Sequence, residues 1–418
     1  MNKKTMQALV LRGQGFEQLK MEEIPIPTPG PNQLLARVDA AGVCTSIIKL
    51  VEQGADHKYL NGWDPAKWPL VMGDEGALTI VEVGSGLKER YTEGMRVGVQ
   101  PAVDIGPINH RERYRDGGRG MSKTAIGYTL GGHLAEYLLI PEEVIQGNCV
   151  IPLPSDSIPH FAVSMCEPIS CVVSAQTRHV HISKPETMAP REAHLGIKLG
   201  GTCVVVGAGA MGKIHVELAM RFRPATLVVV DALESNLRWV EKSLATKAAD
   251  RGIALATTLP AGARDTIESV SGGRMADDII VAVGIRGVQN EAMGWLGFGG
   301  VINLFAGLKK GDSELSLDNI RVHYDEIKVA GSSGGDPHDY IETLDGILAG
   351  DIEPGRYVAA VGSLDNAPRV LEMIKAGEIS GKAILYPHIP TTPLRMVDSW
   401  SAKDEKQFLA ERLGETLP

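Results

Sequence analysis

Apolar and polar positions change rhythm twice along the chain. Through residues 6–150 short apolar runs, such as Gln33-Leu34-Leu35-Ala36-Arg37-Val38 and Leu78-Thr79-Ile80-Val81-Glu82-Val83, are closed off by Gly and Pro. That is the pattern of short strands in a compact β-rich module. Through residues 200–335 the order becomes strand, helix, strand. The runs 203–206, 227–230, 278–283, 300–304 and 327–331 read there as parallel strands buried on both faces. Residues 366–376 carry helical spacing, with Val370, Leu371 and Ile374 on one face. Residues 382–386 return as a strand that completes the first module. The pattern predicts an α/β chain of two domains, 1–178 with 336–418 and 179–335.

The junction of the first two parallel strands carries the most specific local signal. The apolar run ending at Val206 opens into Gly207-Ala208-Gly209-Ala210-Met211-Gly212, a G-x-G-x-x-G turn. The next apolar run ends in Asp231, roughly twenty residues beyond the last glycine, the spacing of a dinucleotide-binding strand–turn–helix. Gly207 suits the tight turn, Gly209 a close approach of backbone to pyrophosphate, and Gly212 close packing of helix on strand. The anion would lie at the N-terminus of the helix that begins near Met211. Asp231 would accept from a ribose hydroxyl and repel a 2′-phosphate, which favours NAD over NADP. Val283 and Gly284, then Ala306 and Gly307, end two later strands, where a parallel sheet binds its ligand. Ser332 follows a third strand, and Arg238 lies seven residues after Asp231, placed to stack near adenine.

Composition narrows the class. The 418 residues are 44% hydrophobic and 22% charged, enough for a sizeable globular core. A net charge of −9 argues against a general nucleic-acid or anionic-membrane surface, and no apolar run is long enough for a bilayer. The N-terminal segment lacks the apolar stretch of a secretion signal, so the cytoplasm is the expected location. Five scattered cysteines, at 44, 149, 166, 171 and 203, form no C-x-x-C pair and suggest no disulfide framework.

Three places in the β-rich module concentrate groups fit for metal or proton chemistry: Gly42-Val43-Cys44-Thr45-Ser46, Gly73-Asp74-Glu75-Gly76 and Cys166-Glu167-Pro168. With Gln7-Ala8-Leu9-Val10, Gly94-Met95-Arg96-Val97-Gly98 and Gly131-Gly132-His133-Leu134-Ala135-Glu136-Tyr137 they stand in a fixed order. In that order the chain resembles the zinc-dependent medium-chain dehydrogenase/reductase family over nearly its whole length. The Glu167-Pro168 pair is similar to the polyol and sugar dehydrogenase branch, and residues 49–58 resemble the sorbose-1-phosphate reductases. The resemblance implies a GroES-like β-rich catalytic domain joined to a Rossmann domain with a doubly wound parallel sheet. It also implies one catalytic zinc, or another divalent ion, per subunit, held by Cys44, Asp74 and Glu167 with Glu75 beside it as an exchangeable ligand. Ser46 would be the proton-relay hydroxyl. The partners implied are a small polyol or sugar substrate and a second copy of the chain, as homodimer or homotetramer, with no nucleic acid and no membrane.

The chain departs from that family at identifiable positions. Asp74 stands where a His is usual, so the set becomes one thiolate and three carboxylates, harder and more negative. Ile47 replaces an orienting Asp, and Lys49 stands where a His usually ends the relay, which makes Lys49 a candidate catalytic residue. The stretch 104–127 contains no cysteine, so the family's structural four-cysteine zinc site is absent. Its Arg111, Arg113, Arg115 and Arg119 read equally as phosphate holders or as a solvated loop. His57 and Lys58 are either substrate contacts or exposed polar residues. The charged stretch 403–413 reads as a helix that wraps the surface or meets a second subunit. The activity expected is NAD-dependent oxidation of a secondary alcohol to a ketone, or the reverse. A metal-free reductase of the same superfamily and a non-catalytic NAD-binding protein are the alternatives.

Overall fold

The computed structural model describes residues 3–104, 107–309 and 311–414. The chain divides into two compact units, Met1–Ser170 with Asp336–Pro418, and Cys171–Gly335.

The first unit is β-rich. Thr5–Leu11 is the middle strand of a small antiparallel sheet, between Leu19–Pro25 and Leu70–Val71. The larger sheet has eight strands and is organised around Leu34–Val43, which pairs antiparallel with Glu75–Val83, Tyr137–Ile140 and Lys382–Tyr386. Leu34, Ala36 and Val38 are buried in the core below this sheet, alongside Leu78, Ile80, Val97 and Leu138. The strand expected at 382–386 forms, and with Val358–Ser363 it makes a parallel pair connected by the helix Ala367–Lys375. The apolar stripe predicted for that helix is the face it buries, Val370 and Leu371 being inaccessible.

Residues 104–127 hold short 3-10 turns at Arg111–Arg113 and Arg115–Gly118, and a strand Thr124–Ala125 that pairs with Ala102–Val103. Arg113 lies over the rings of Trp63 and Trp68, at 4.9 and 5.6 Å from their centroids. Its guanidinium is thus engaged in cation–π contact.

The last helix, Ala402–Leu413, starts from a capping box in which the Ser401 and Asp404 side chains each accept from the other's backbone N–H. Its Phe408 is buried beside Tyr386 and Trp400 of the same unit. The carboxylate of Glu405 accepts from the N–H groups of His160 and Phe161, at 2.8 Å each. The helix is therefore anchored in its own unit by both an aromatic contact and a cap on the helix His160–Ser164.

The second unit is built on a six-stranded parallel sheet. The order is Ala254–Thr258, Thr226–Val230, Thr202–Val206, Ala276–Val281, Leu296–Asn303, Lys328–Ala330. This is the doubly wound arrangement, with its switch point between Thr202–Val206 and Ala276–Val281. Val204, Val228 and Ile279 face one buried layer and Val205, Val229 and Ile280 the other, which explains why these strands read as continuous apolar runs. Three strands differ from the sequence reading. The run placed at 278–283 spans Ala276–Val281, the run placed at 300–304 begins earlier, at Leu296, and Ala254–Thr258 was not expected at all. That strand, Ala-Leu-Ala-Thr-Thr, sits at the sheet edge and is half-exposed, so it carries no apolar run. A two-stranded ribbon, Val180–Ser183 with Glu192–Leu195, precedes the sheet. Among the described residues no helix is long and apolar enough to cross a membrane.

Candidate functional site

In the β-rich unit, the first chemical group forms at the ends of paired strands. Cys44 follows Leu34–Val43 directly, and Glu75 opens its neighbour, with Gly42 and Glu75 directly opposite in register. A Cβ at Gly42 would fall on the Glu75 carboxylate, 2.1 Å from Oε2, so only glycine leaves room for that acid. Gly73, at φ +100°, turns the chain into Asp74. The buried His133 fixes that turn. Its backbone N–H donates to the Gly73 carbonyl at 2.9 Å, and its ring packs where a Cβ on Gly76 would sit. Burial holds the His133 imidazole neutral, with its pKa lowered to about 4.

These constraints bring Cys44, Asp74 and Glu75 together, with one ligand atom of each within 4.8 Å of the others. Asp74 is 7% exposed and Glu75 is fully buried. Asp74 Oδ1 and Glu75 Oε2 have no hydrogen-bond partner, although each is sealed from solvent. The remaining oxygens are engaged. The Ser46 hydroxyl donates to Asp74 Oδ2 at 3.2 Å, and the Lys382 ammonium donates to Glu75 Oε1. The Ser46 N–H also donates to the Cys44 sulfur at 3.5 Å. Glu167, in the first turn of Cys166–Thr177, is buried within electrostatic reach of both Cys44 and Lys382.

The electrostatics are those of a crowded negative site. Burial, then the charge of Asp74, pushes the Cys44 thiol well above its ordinary value, with Lys382 opposing. Burial and then Glu75 raise Asp74 to about 7. Burial works against the Lys382 charge, but Glu75 and Cys44 more than compensate and its pKa lies above the usual lysine range. One thiol, three carboxylates and a single buried ammonium leave an excess of negative charge and two orphaned buried oxygens. This donor set fits a divalent cation, which would satisfy both.

Two groups at this site were not visible in the sequence. Lys382 is a lone charge before the apolar run Ala383-Ile384-Leu385-Tyr386, and that isolation is its only signal. Tyr128 is the other. Its hydroxyl is hydrogen-bonded to Ser46, and it feels the charges of Asp74 and Cys44. Its ring stacks on His57 at 5.5 Å and meets Tyr59 edge-on at 5.1 Å. His57 is held neutral, lowered to about 4 by burial and then by the neighbouring charge of Lys49. Lys49 thus stands beside His57, outside the cluster of donor atoms. Cys166 is a packed thiol that donates to the Ala162 carbonyl at 3.3 Å.

The second group lies in the parallel-sheet unit. Gly207 takes φ +94°, and a Cβ at Gly212 would meet the Gly207 carbonyl oxygen at 1.7 Å, so turn and helix can pack only through glycine. Gly209, by contrast, has open space on its Cβ side. The helix Ala210–Ala219 starts there, with Met211 and Gly212 in its first turn. A cavity of about 470 Å³ is lined by Gly207, Gly209, Asp231, Val283 and Gly284 among others. Asp231 is held in place: Oδ2 accepts from the Ala208 N–H at 2.6 Å, and Oδ1 from the Leu233 N–H at 2.7 Å. Asn236, which the sequence reading passed over, also lines the cavity and donates to Asp231 Oδ1 at 3.2 Å.

Other expected residues lie outside this cavity. Arg238 projects to solvent and pairs with Glu234 at 2.9 Å, one helical turn back, away from the cavity lining. Ala306 is tied to the neighbouring turn, because Gln289 donates to both the Val283 and Ala306 carbonyls, at 3.3 and 2.7 Å. Gly307 follows it. Ser332 lies beyond Lys328–Ala330, with a buried hydroxyl that has no partner.

Comparison with known proteins agrees with this geometry. The family profile "Alcohol dehydrogenase GroES-like domain" matches residues 30–154, the segment that contains Cys44, Asp74 and Glu75. That segment is an alcohol dehydrogenase GroES-like domain. It is 29% identical to mannitol-1-phosphate 5-dehydrogenase of Aliivibrio fischeri, covering 95% of this chain and 90% of that one. It is 27% identical to L-sorbose 1-phosphate reductase of Klebsiella pneumoniae, covering 92% and 90%. The fold matches a cobalt- and zinc-bound thermostable alcohol dehydrogenase from Pyrobaculum aerophilum, with a TM-score of 0.67 at 22% identity over 92% of this chain and all of that one. Residues 30–154 thus match a GroES-like domain, and the parallel sheet of the second unit is of the Rossmann type.

Proposed function

We propose that the protein interconverts a secondary alcohol and a ketone on a polyol, sugar or sugar phosphate, with NAD as hydride acceptor. The observation that carries this reading is the convergence of Cys44, Asp74 and Glu75 on one buried point, with two carboxylate oxygens left without partners. Cys44, Asp74, Glu75 and Glu167 would hold a cation of the zinc class. When bound, it supplies Lewis acidity for the alcohol oxygen. The dinucleotide, when bound, supplies the hydride acceptor at its nicotinamide.

The residues do the rest. Ser46 relays the proton of the substrate hydroxyl, accepting it while its own passes along its hydrogen bonds to Asp74 or Tyr128 and on to solvent. Lys382 balances the charge of Glu75 and keeps that carboxylate turned toward the cluster. The aromatic rings of Tyr59 and Tyr128 with His57 offer a packed aromatic surface for the carbon face of a polyol. In the other unit Asp231 accepts from the ribose hydroxyls, and with Glu291 on the same cavity wall it opposes a 2′-phosphate. The names of the two relatives, a mannitol-1-phosphate dehydrogenase and a sorbose-1-phosphate reductase, support a phosphorylated polyol or ketose.

The unpaired edge Lys328–Ala330, with Val329 half-exposed, supports a homodimer or homotetramer. The absence of a membrane-spanning helix among the described residues accords with a cytoplasmic setting. The test is a screen of polyols, ketoses and their phosphates, followed by NADH absorbance with zinc present. Turnover on at least one of them is expected; no turnover across the whole panel, in both directions, contradicts the reading.

A further inference from the structure

A second convergence of ligand atoms lies in the parallel-sheet unit, at its ribbon. His179 precedes the strand Val180–Ser183 and His181 is within it. Two residues apart on extended chain, their rings project to the same side. Both meet Asp278, near the start of Ala276–Val281. His179 Nδ1 lies 2.6 Å and His181 Nε2 2.8 Å from the same oxygen, Asp278 Oδ1. The other oxygen accepts the Lys198 N–H at 2.9 Å. His179 and Asp278 are fully buried, and the three ligand atoms lie within 4.8 Å of one another.

We propose that His179, His181 and Asp278 hold a divalent cation of the zinc class, which pins the ribbon Val180–Ser183 and Glu192–Leu195 to the parallel sheet. Three observations support this. Two imidazoles and a carboxylate are a donor set that zinc accepts, with a fourth position left for water. Ligand atoms around a tetrahedral zinc stand roughly 3.3 Å apart, so the two nitrogens, at 2.6 and 2.8 Å from Asp278 Oδ1, would draw back from it by about 0.5–0.7 Å. His179 Nε2 is buried without a hydrogen-bond partner, so the ring is held from one side only, by Asp278, and can shift to admit a cation. A path also exists, because His181 lines a cavity of about 590 Å³ that the ribbon walls on one side.

The ribbon explains what such a cation would do. Two-stranded ribbons are marginal on their own. Every residue of Glu192–Leu195 is exposed, and of the partner strand only Val180 and His181 are even half-buried. Little apolar burial holds this ribbon, and the His–Asp contact is its main polar tie to the sheet. Binding would need each ring to turn a lone pair toward the cation, the ring proton passing to the nitrogen on the far side.

This inference is independent of the proposed catalytic site and revises the expectation of a single metal per subunit. It is tested on the full chain by loading wild type and His181→Asn with zinc sulfate, desalting, and measuring zinc by mass spectrometry. His181→Asn should hold about one zinc fewer per chain. With cobalt in place of zinc, the tetrahedral visible absorption should fall by about one site's share in the variant, while the near-ultraviolet thiolate band of Cys44 persists. Limited proteolysis between residues 184 and 191 should speed by about tenfold. If His181→Asn does not fold, Cys44→Ser carries the test, since its cobalt form should keep the tetrahedral band. Equal zinc content in wild type and His181→Asn, or no tetrahedral band in Cys44→Ser, overturns the proposal. The Cys44 thiolate band reports separately on the catalytic reading.

Discussion

Lys382 and Glu75 form an ion pair across two strands of the β-rich unit, with side chains 4% and 0% exposed. The ammonium is the only cation among the described residues to hydrogen-bond a carboxylate of the Cys44, Asp74 and Glu75 cluster. Such a pair contributes little net stability when intact, because desolvation offsets attraction, but an abandoned partner is expensive.

Replacing Lys382 by Met should therefore destabilise the metal-free protein by about 3–5 kcal/mol, since Glu75 keeps a buried charge. Adding Glu75→Gln should recover part of that loss, a coupling of roughly 0.5–3 kcal/mol in a double-mutant cycle. Urea unfolding of the four chelator-treated proteins checks it. Strictly additive losses would mean that the two residues do not act as a pair.

Removal of metal should give the protein an unusual pH dependence. Asp74 titrates at about 7, raised by burial and by Glu75, so the metal-free folded state keeps a proton that the unfolded chain releases near its ordinary value of 3.8. The stability from that proton is full below about pH 4 and is lost as pH rises through about 7. Chelator-treated protein should resist urea better at about pH 5.5 than at about pH 8, and Asp74→Asn should flatten the difference. Zinc should reverse the slope, because its ligands must be deprotonated. An unchanged slope in Asp74→Asn would place the titration elsewhere.

Asp231→Ser should raise KM for NAD about tenfold or more and narrow the preference over NADP, because ribose acceptors and a repulsive charge are both removed. The Leu233 and Ala208 N–H groups also lose their acceptor, so nucleotide affinity is best measured by titration calorimetry alongside kinetics. Tighter binding of NADP than NAD by the wild type would refute the role given to Asp231.

What the sequence revealed was local. Gly207 and Gly212 announce their turn because the backbone there tolerates nothing larger, and the strand 382–386 is a plain apolar run. Cys44, Asp74, Glu75 and Glu167 were legible as candidates through family order alone. What remained hidden depends on distant pairing. Lys382 reaches Glu75 across 307 residues, and Tyr128 meets Ser46 only after the β-sheet has formed. Asn236 was overlooked in favour of Arg238, whose charge suggested a nucleotide contact. The helix turns Arg238 outward and Asn236 inward. His179 and His181 were passed over because their ribbon strands are only four residues long and mostly exposed, and Asp278 lies about a hundred residues away.

The most direct measurement of the account is NADH formation from the best polyol or sugar-phosphate substrate, by wild type and Cys44→Ala, before chelation, after it, and after zinc is restored. Loss of a metal-assisted step should lower kcat of the chelated wild type by about a thousandfold or more, with recovery on adding zinc. Cys44→Ala should stay inactive throughout while still binding NAD, since the nucleotide cavity contains no part of the thiol cluster. Full turnover by Cys44→Ala, or by chelated wild type, would contradict the metal site.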